Sequence, residues 1–175
     1  MVTALATVAL RRARRNMAAK PARAARWLRL ACRVAPRFGE PHRALLTLMG
    51  KHGDPMGAME LARRWTAKFE LSTDAWVALG VACRAAFRTR DALVAYERAL
   101  QLEERADAAM AAGLLYRMQS DHATAGARFA RAYAAGAGPE ALRENARALT
   151  AAGDHAAAAE AVQLWEKETG RGWTE

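Results

Sequence analysis

From Trp76 to Leu100 the large apolar residues recur at helical spacing, first at Trp76, Leu79 and Cys83, then at Leu93, Tyr96 and Leu100. Residues three or four apart share one face of a helix, so each set draws an apolar stripe. An arginine-rich interval separates the two sets. Small residues stand at Gly80, Ala92 and Ala99, where two backbones can approach closely. The pattern predicts two short helices facing each other. Alanine is abundant and β-branched residues are scarce, which favours helix along the whole chain.

The same pattern recurs. A shift of 33 residues toward the C-terminus meets Gly113, Tyr116, Asp121, Ala125, Phe129 and Ala132. A second such shift meets Leu142, Ala146, Leu149, Gly153, Asp154, Ala158 and Val162. A shift of 34 residues the other way meets His42, Leu45, Met49, Gly53, Asp54, Ala58 and Ala62, and a further one meets Ala24, Leu28, Ala31 and Pro36. Five units follow, 5–38, 39–72, 73–105, 106–138 and 139–172, within one domain over 1–175. Gly53-Asp54 and Gly153-Asp154 share one phase, Gly as a left-handed helix stop and Asp as the next helix start; Ser120-Asp121 is a weaker version.

Trp76-Val-Ala-Leu79-Gly80-Val-Ala-Cys83, followed by Ala92, Tyr96 and Ala99, resembles the tetratricopeptide repeat, a helix–turn–helix unit of about 34 residues. The resemblance covers nearly the whole chain and is weakest over 1–20. It implies an all-α fold, a right-handed solenoid of about five such repeats. One repeat cannot bury its apolar face alone, so it stacks on its neighbours.

Two departures carry expectations. Trp65 and Trp165 stand where the repeat wants a small residue, which predicts that each parts its neighbouring helices or turns outward. Arg11, Arg12 and Arg15 hold the phase of buried residues in the first helix, which is therefore expected either to rotate and bury Val2, Leu5, Val8 and Ala9 or to cap the stack.

Charge changes the picture at one end. The chain carries a net charge of +9, and residues 1–39 hold ten Lys or Arg and no carboxylate; the remainder is nearly balanced. At about 100° per residue, Arg23, Arg26, Arg29 and Arg33 form a stripe opposite Ala24, Leu28 and Ala31. Arg11, Arg12, Arg14 and Arg15 form a second cluster. This basic patch suits a solvated cap, an acidic protein surface, or nucleic acid and anionic membrane. Nucleic acid is disfavoured, since only Trp27 and Phe38 interleave with the arginines as stacking platforms.

Catalytic chemistry has no foothold. The histidines and two cysteines lack metal-ligand spacing, and there is neither a Gly-rich phosphate loop nor a G-x-S-x-G turn. No cofactor and no enzymatic activity are expected. Met1–Leu10 is apolar but precedes its arginines, the reverse of a secretory signal, and no run reaches the roughly 18 apolar residues of a membrane span. A cytoplasmic protein is expected.

In tetratricopeptide repeats the first helix of each unit lines a concave groove. The resemblance thus places Arg43, Lys51, Val77, Val81, Arg84, Met110, Leu114, Arg117, Met118, Arg143 and Arg147 on a partner-binding surface, apolar at its centre and basic at its flanks. It implies a protein-binding adaptor, scaffold or chaperone whose partner offers apolar anchors near acidic residues. A chaperone of the bacterial type III secretion kind, a homo-oligomer, and a nucleic-acid or membrane binder are the alternatives.

Overall fold

The computed structural model describes residues 2–173. Ten helices follow one another: α1 (Val2–Asn16), α2 (Pro21–Val34), α3 (Gly39–Lys51), α4 (Pro55–Lys68), α5 (Thr73–Ala85), α6 (Thr89–Leu102), α7 (Ala106–Met118), α8 (His122–Ala134), α9 (Pro139–Ala152) and α10 (His155–Thr169). The described residues contain no strand. The fold is all-α and built from helix–turn–helix pairs.

One backbone clasp closes the turn inside four of the helix pairs, and it recurs between α8 and α9, where the Ala137 N–H bonds the Ala132 carbonyl after left-handed Gly136. Asp54, Arg88, Asp121 and Asp154 each donate a backbone N–H to the carbonyl five residues earlier, on Met49, Cys83, Tyr116 and Leu149, at 2.8–3.0 Å. The residue before each donor is left-handed: Gly53 (φ 82°), Phe87 (58°), Ser120 (62°) and Gly153 (83°). This is the Schellman closure, which satisfies carbonyls that the helix end leaves unpaired. Three of the four donors then cap the next helix. Asp54, Asp121 and Asp154 accept from the N–H of Gly57, Thr124 and Ala157 at 2.8–3.1 Å. His122 and His155 each follow a capping Asp and begin α8 and α10.

The chain divides into two compact parts, Met1–Ala95 and Tyr96–Glu175, the division falling inside α6. In the first part, Leu10 and Ala13 of α1, Ala24 and Leu28 of α2, and Leu45 and Leu48 of α3 form one buried cluster. Ala6, Ala9 and Ala31 form a second. Helix α1 therefore buries Ala6, Ala9, Leu10 and Ala13, while Leu5 and Val8 lie exposed. The expected face was right at Ala9 and wrong at Leu5 and Val8; the side chain of Val2 lies outside the described residues. Alanines let α1 settle close against α2 with Leu10 beside them, while Leu5 and Val8 turn outward with Arg11, Arg12 and Arg15.

Trp65 also departs from expectation. It is 4% exposed and stacks on His42, ring centroids 4.2 Å apart and planes 12° from parallel. The flat imidazole offers the indole a face, so Trp65 fits inside without turning outward.

In the second part, Ala125 and Phe129 of α8 pack with Ala148 of α9, and Met110, Leu114 and Tyr116 of α7 lean on this cluster. Gly113 makes the close approach possible, because a Cβ there would lie 2.6 Å from the Phe129 ring. Arg128 of α8 braces the α6 segment of this part with two bonds to Glu97, at 2.7 and 2.9 Å. After α10 the chain turns back. Trp173 donates its backbone N–H to Glu166 Oε1 at 2.8 Å and sets its ring edge-on to Trp165 at 5.4 Å.

Candidate functional site

In the first part, α3 and α5 lie side by side. Arg43 Nη1 donates to Asp74 Oδ1 at 3.0 Å and ties the two helices together. Thr47 bonds back to the Arg43 carbonyl at 2.9 Å. Lys51, Val81 and Arg84 are exposed, and Arg84 forms no ion pair among the described residues. Val77 is only 5% exposed and belongs to the core, so it is withdrawn from the surface set.

In the second part, the first helices are α7 and α9. Met118 is 74% exposed at the end of α7. Met110 and Leu114 are half-buried against the Phe129 cluster and show only part of their surface. Glu144 of α9, itself 8% exposed, is the residue that the sequence reading passed over. Arg117 of α7 pairs with its Oε2, and Arg147 approaches its Oε1 at 3.4 Å. One buried carboxylate thus orients two guanidinium groups and leaves a net single positive charge at the surface. The available signal was positional. Glu144 stands at the phase of Ala111, and successive first helices bring that phase against Arg117. Arg143 lies 4.0 Å from Glu140 on its own helix.

The arginines of the stripe, Arg23, Arg26, Arg29 and Arg33, are all exposed, opposite the buried Ala24, Leu28 and Ala31. Arg11, Arg12, Arg14 and Arg15 are exposed as well, and two are engaged. The Arg12 guanidinium lies 4.9 Å over the Trp27 ring, and Arg14 pairs with Glu40. Both cysteines are free thiols. Burial pushes the Cys32 thiol up to about 12. Among the described residues no three His, Cys, Asp or Glu side chains stand together as a metal site. No helix of the described residues is long and apolar enough to cross a membrane.

No protein-family model and no curated protein sequence matches the chain. Solved structures do. A crystal structure of MamA matches over 94% of this chain and 91% of its own length, at 19% identity and a TM-score of 0.72. PilF of Pseudomonas aeruginosa matches over 97% of this chain and 77% of its own, at 21% identity and 0.74. A thermophilic TPR protein of Thermus thermophilus matches over 95% and 92%, at 18% identity and 0.68. The chain has the tetratricopeptide-repeat fold.

Proposed function

We propose that this chain is an adaptor or chaperone that holds an extended or helical segment of a protein partner on its first-helix faces. The observation that carries this reading is the group on α7 and α9. Glu144 fixes Arg117 and Arg147 in place, and α7, which carries Arg117, also carries the exposed thioether of Met118. Cations held in advance lose little freedom on meeting a carboxylate, and an apolar anchor nearby supplies affinity by leaving water. Methionine suits a surface that adapts to more than one shape. The partner segment accordingly carries apolar anchors next to acidic residues. In the first part, Lys51, Val81 and Arg84 offer the same mixture on α3 and α5. Free thiols at Cys32 and Cys83 suit a reducing compartment such as the cytoplasm.

Affinity purification from the native host, with mass spectrometry, tests this. Met118→Glu and Arg84→Glu alter exposed side chains and leave the core intact. Each is expected to reduce recovery of the same partner several-fold, and undiminished recovery in both would reject the assignment.

A further inference from the structure

A separate surface, on the second helices of the first part, carries features that the first-helix reading does not use. Between α2, α3 and α4 lies a cavity of about 410 Å³. Arg29 and Arg33 stand one turn apart on α2. Arg64 and Lys68 stand one turn apart on α4, across the opening. Leu45, Leu61 and Pro36 form much of the lining, and no carboxylate contributes to it. Arg64 is partly neutralised by Glu60, 3.1 Å away on its own helix. Arg29 and Arg33 form no ion pair among the described residues.

We propose that this cavity is a second binding site, which takes an acidic peptide segment with one apolar side chain between carboxylates. Cations ring an apolar interior, so the ligand must present both chemistries at once. A bare anion would leave the apolar walls wet, and an uncharged chain would leave the cations without partners. The buried Trp65 Nε1, in a ring that lines the cavity, has no acceptor among the described residues.

The surroundings favour a peptide over a small ion. A second hollow of about 640 Å³ adjoins the first and shares Lys68 and Phe69 with it. It adds Arg37 and the highly exposed Leu71. Together the hollows form a track in which a cation and an apolar contact recur, as an extended chain with alternating side chains requires. Glu70 is the one carboxylate along this extension. A nucleic acid fits poorly. His42 and Trp65 stack on each other and the Lys68 ammonium sits 5.7 Å over the Phe69 ring, so one face of each of these aromatics is already taken, whereas a single strand needs a row of open platforms.

Fluorescence anisotropy on the full chain tests the site, with labelled peptides of about ten residues in which a central Leu, Phe or Trp is flanked by Asp and Glu. At least one peptide is expected to bind, and to lose about tenfold in affinity when its central residue becomes Ser. The double variant Arg33→Glu, Lys68→Glu should weaken binding by about tenfold or more, whereas Arg11→Glu, Arg15→Glu, with the same change in net charge, should alter it less than about twofold. The milder pair Arg33→Gln, Lys68→Gln should give an intermediate loss and guards against a folding defect. Met118→Glu should leave this binding unchanged, which keeps the two surfaces distinguishable. The proposal is overturned by equal losses in the two charge-reversed doubles, by no binding of any peptide, or by competition from inorganic phosphate or single-stranded oligothymidylate as effective as from unlabelled peptide.

Discussion

Phe87 is 93% exposed and left-handed at φ 58°, at the turn phase that glycine holds at Gly53 and Gly153. An L-residue with a Cβ pays roughly 1–2 kcal/mol for that conformation. Phe87→Gly is therefore expected to raise stability by about 1 kcal/mol, read as a higher urea midpoint, since the exposed ring contributes little packing to lose. A lower midpoint would show that the ring does pack. His42 supplies a pH dependence. Its Nδ1–H donates to the Phe38 carbonyl at 3.1 Å. Burial holds its pKa below the ordinary 6.5, an effect that the Phe38 bond opposes in part. The unfolded chain then takes up the proton more readily than the folded one. His42 stabilises the fold fully above about pH 6.5, and that contribution is lost as the pH falls through the lower folded value. Urea midpoints at pH 7.5 and pH 5 should therefore differ less in His42→Gln than in the parent chain. Neither feature was legible beforehand. The sequence shows an apolar residue in a turn, but its sign of φ comes from the backbone clasp. The partner of His42 was hidden because Trp65 looked too large for its place.

The helix pair is the element that the sequence displayed most clearly. Gly-Asp at a fixed phase announces a helix stop followed by a cap, and both are found at Gly53-Asp54 and Gly153-Asp154. Gly113 and Gly50 test how closely the helices approach. Both lie within helices, where Ala is intrinsically favoured over Gly by about 1 kcal/mol. At Gly50 a Cβ meets nothing within 4 Å, so Gly50→Ala should stabilise by about 0.5–1 kcal/mol. At Gly113 the Cβ would press on Phe129, which is fully buried and has nowhere to move. Gly113→Ala should thus destabilise by about 1–3 kcal/mol despite its better propensity. Thermal melts that rank the two variants the other way would contradict the packing described for α7 and α8. The rotation of α1 was the least legible element. Its periodicity offered leucine and valine for burial, but the tight contact with α2 selects alanine, and residue size was the neglected variable.

At the scale of the whole molecule, stability is distributed over local clusters and not gathered in one centre. Leu28 is fully buried among α1, α2 and α3. Leu28→Ala should cost about 2–5 kcal/mol locally. In a repeat protein such damage need not spread, because each unit contacts only its neighbours. Native-state hydrogen exchange should show faster amides over 2–51 and unchanged protection over 122–152. Equal acceleration throughout would mean that the two compact parts unfold as one. The fold was legible because a 33-to-34-residue period survives many substitutions. The surfaces proposed for binding were legible only in part. First-helix arginines could be placed by phase, but the buried Glu144 that orients two of them, and the cavity between α2 and α4, arise from contacts between repeats.

The recurrence of one Schellman clasp at Asp54, Asp121 and Asp154 also makes these positions natural seams. A gene rejoined from one such aspartate codon to another would lose or gain whole modules while keeping every stop and start signal intact. The chain is thereby suited to being shortened, extended or grafted in register by recombination.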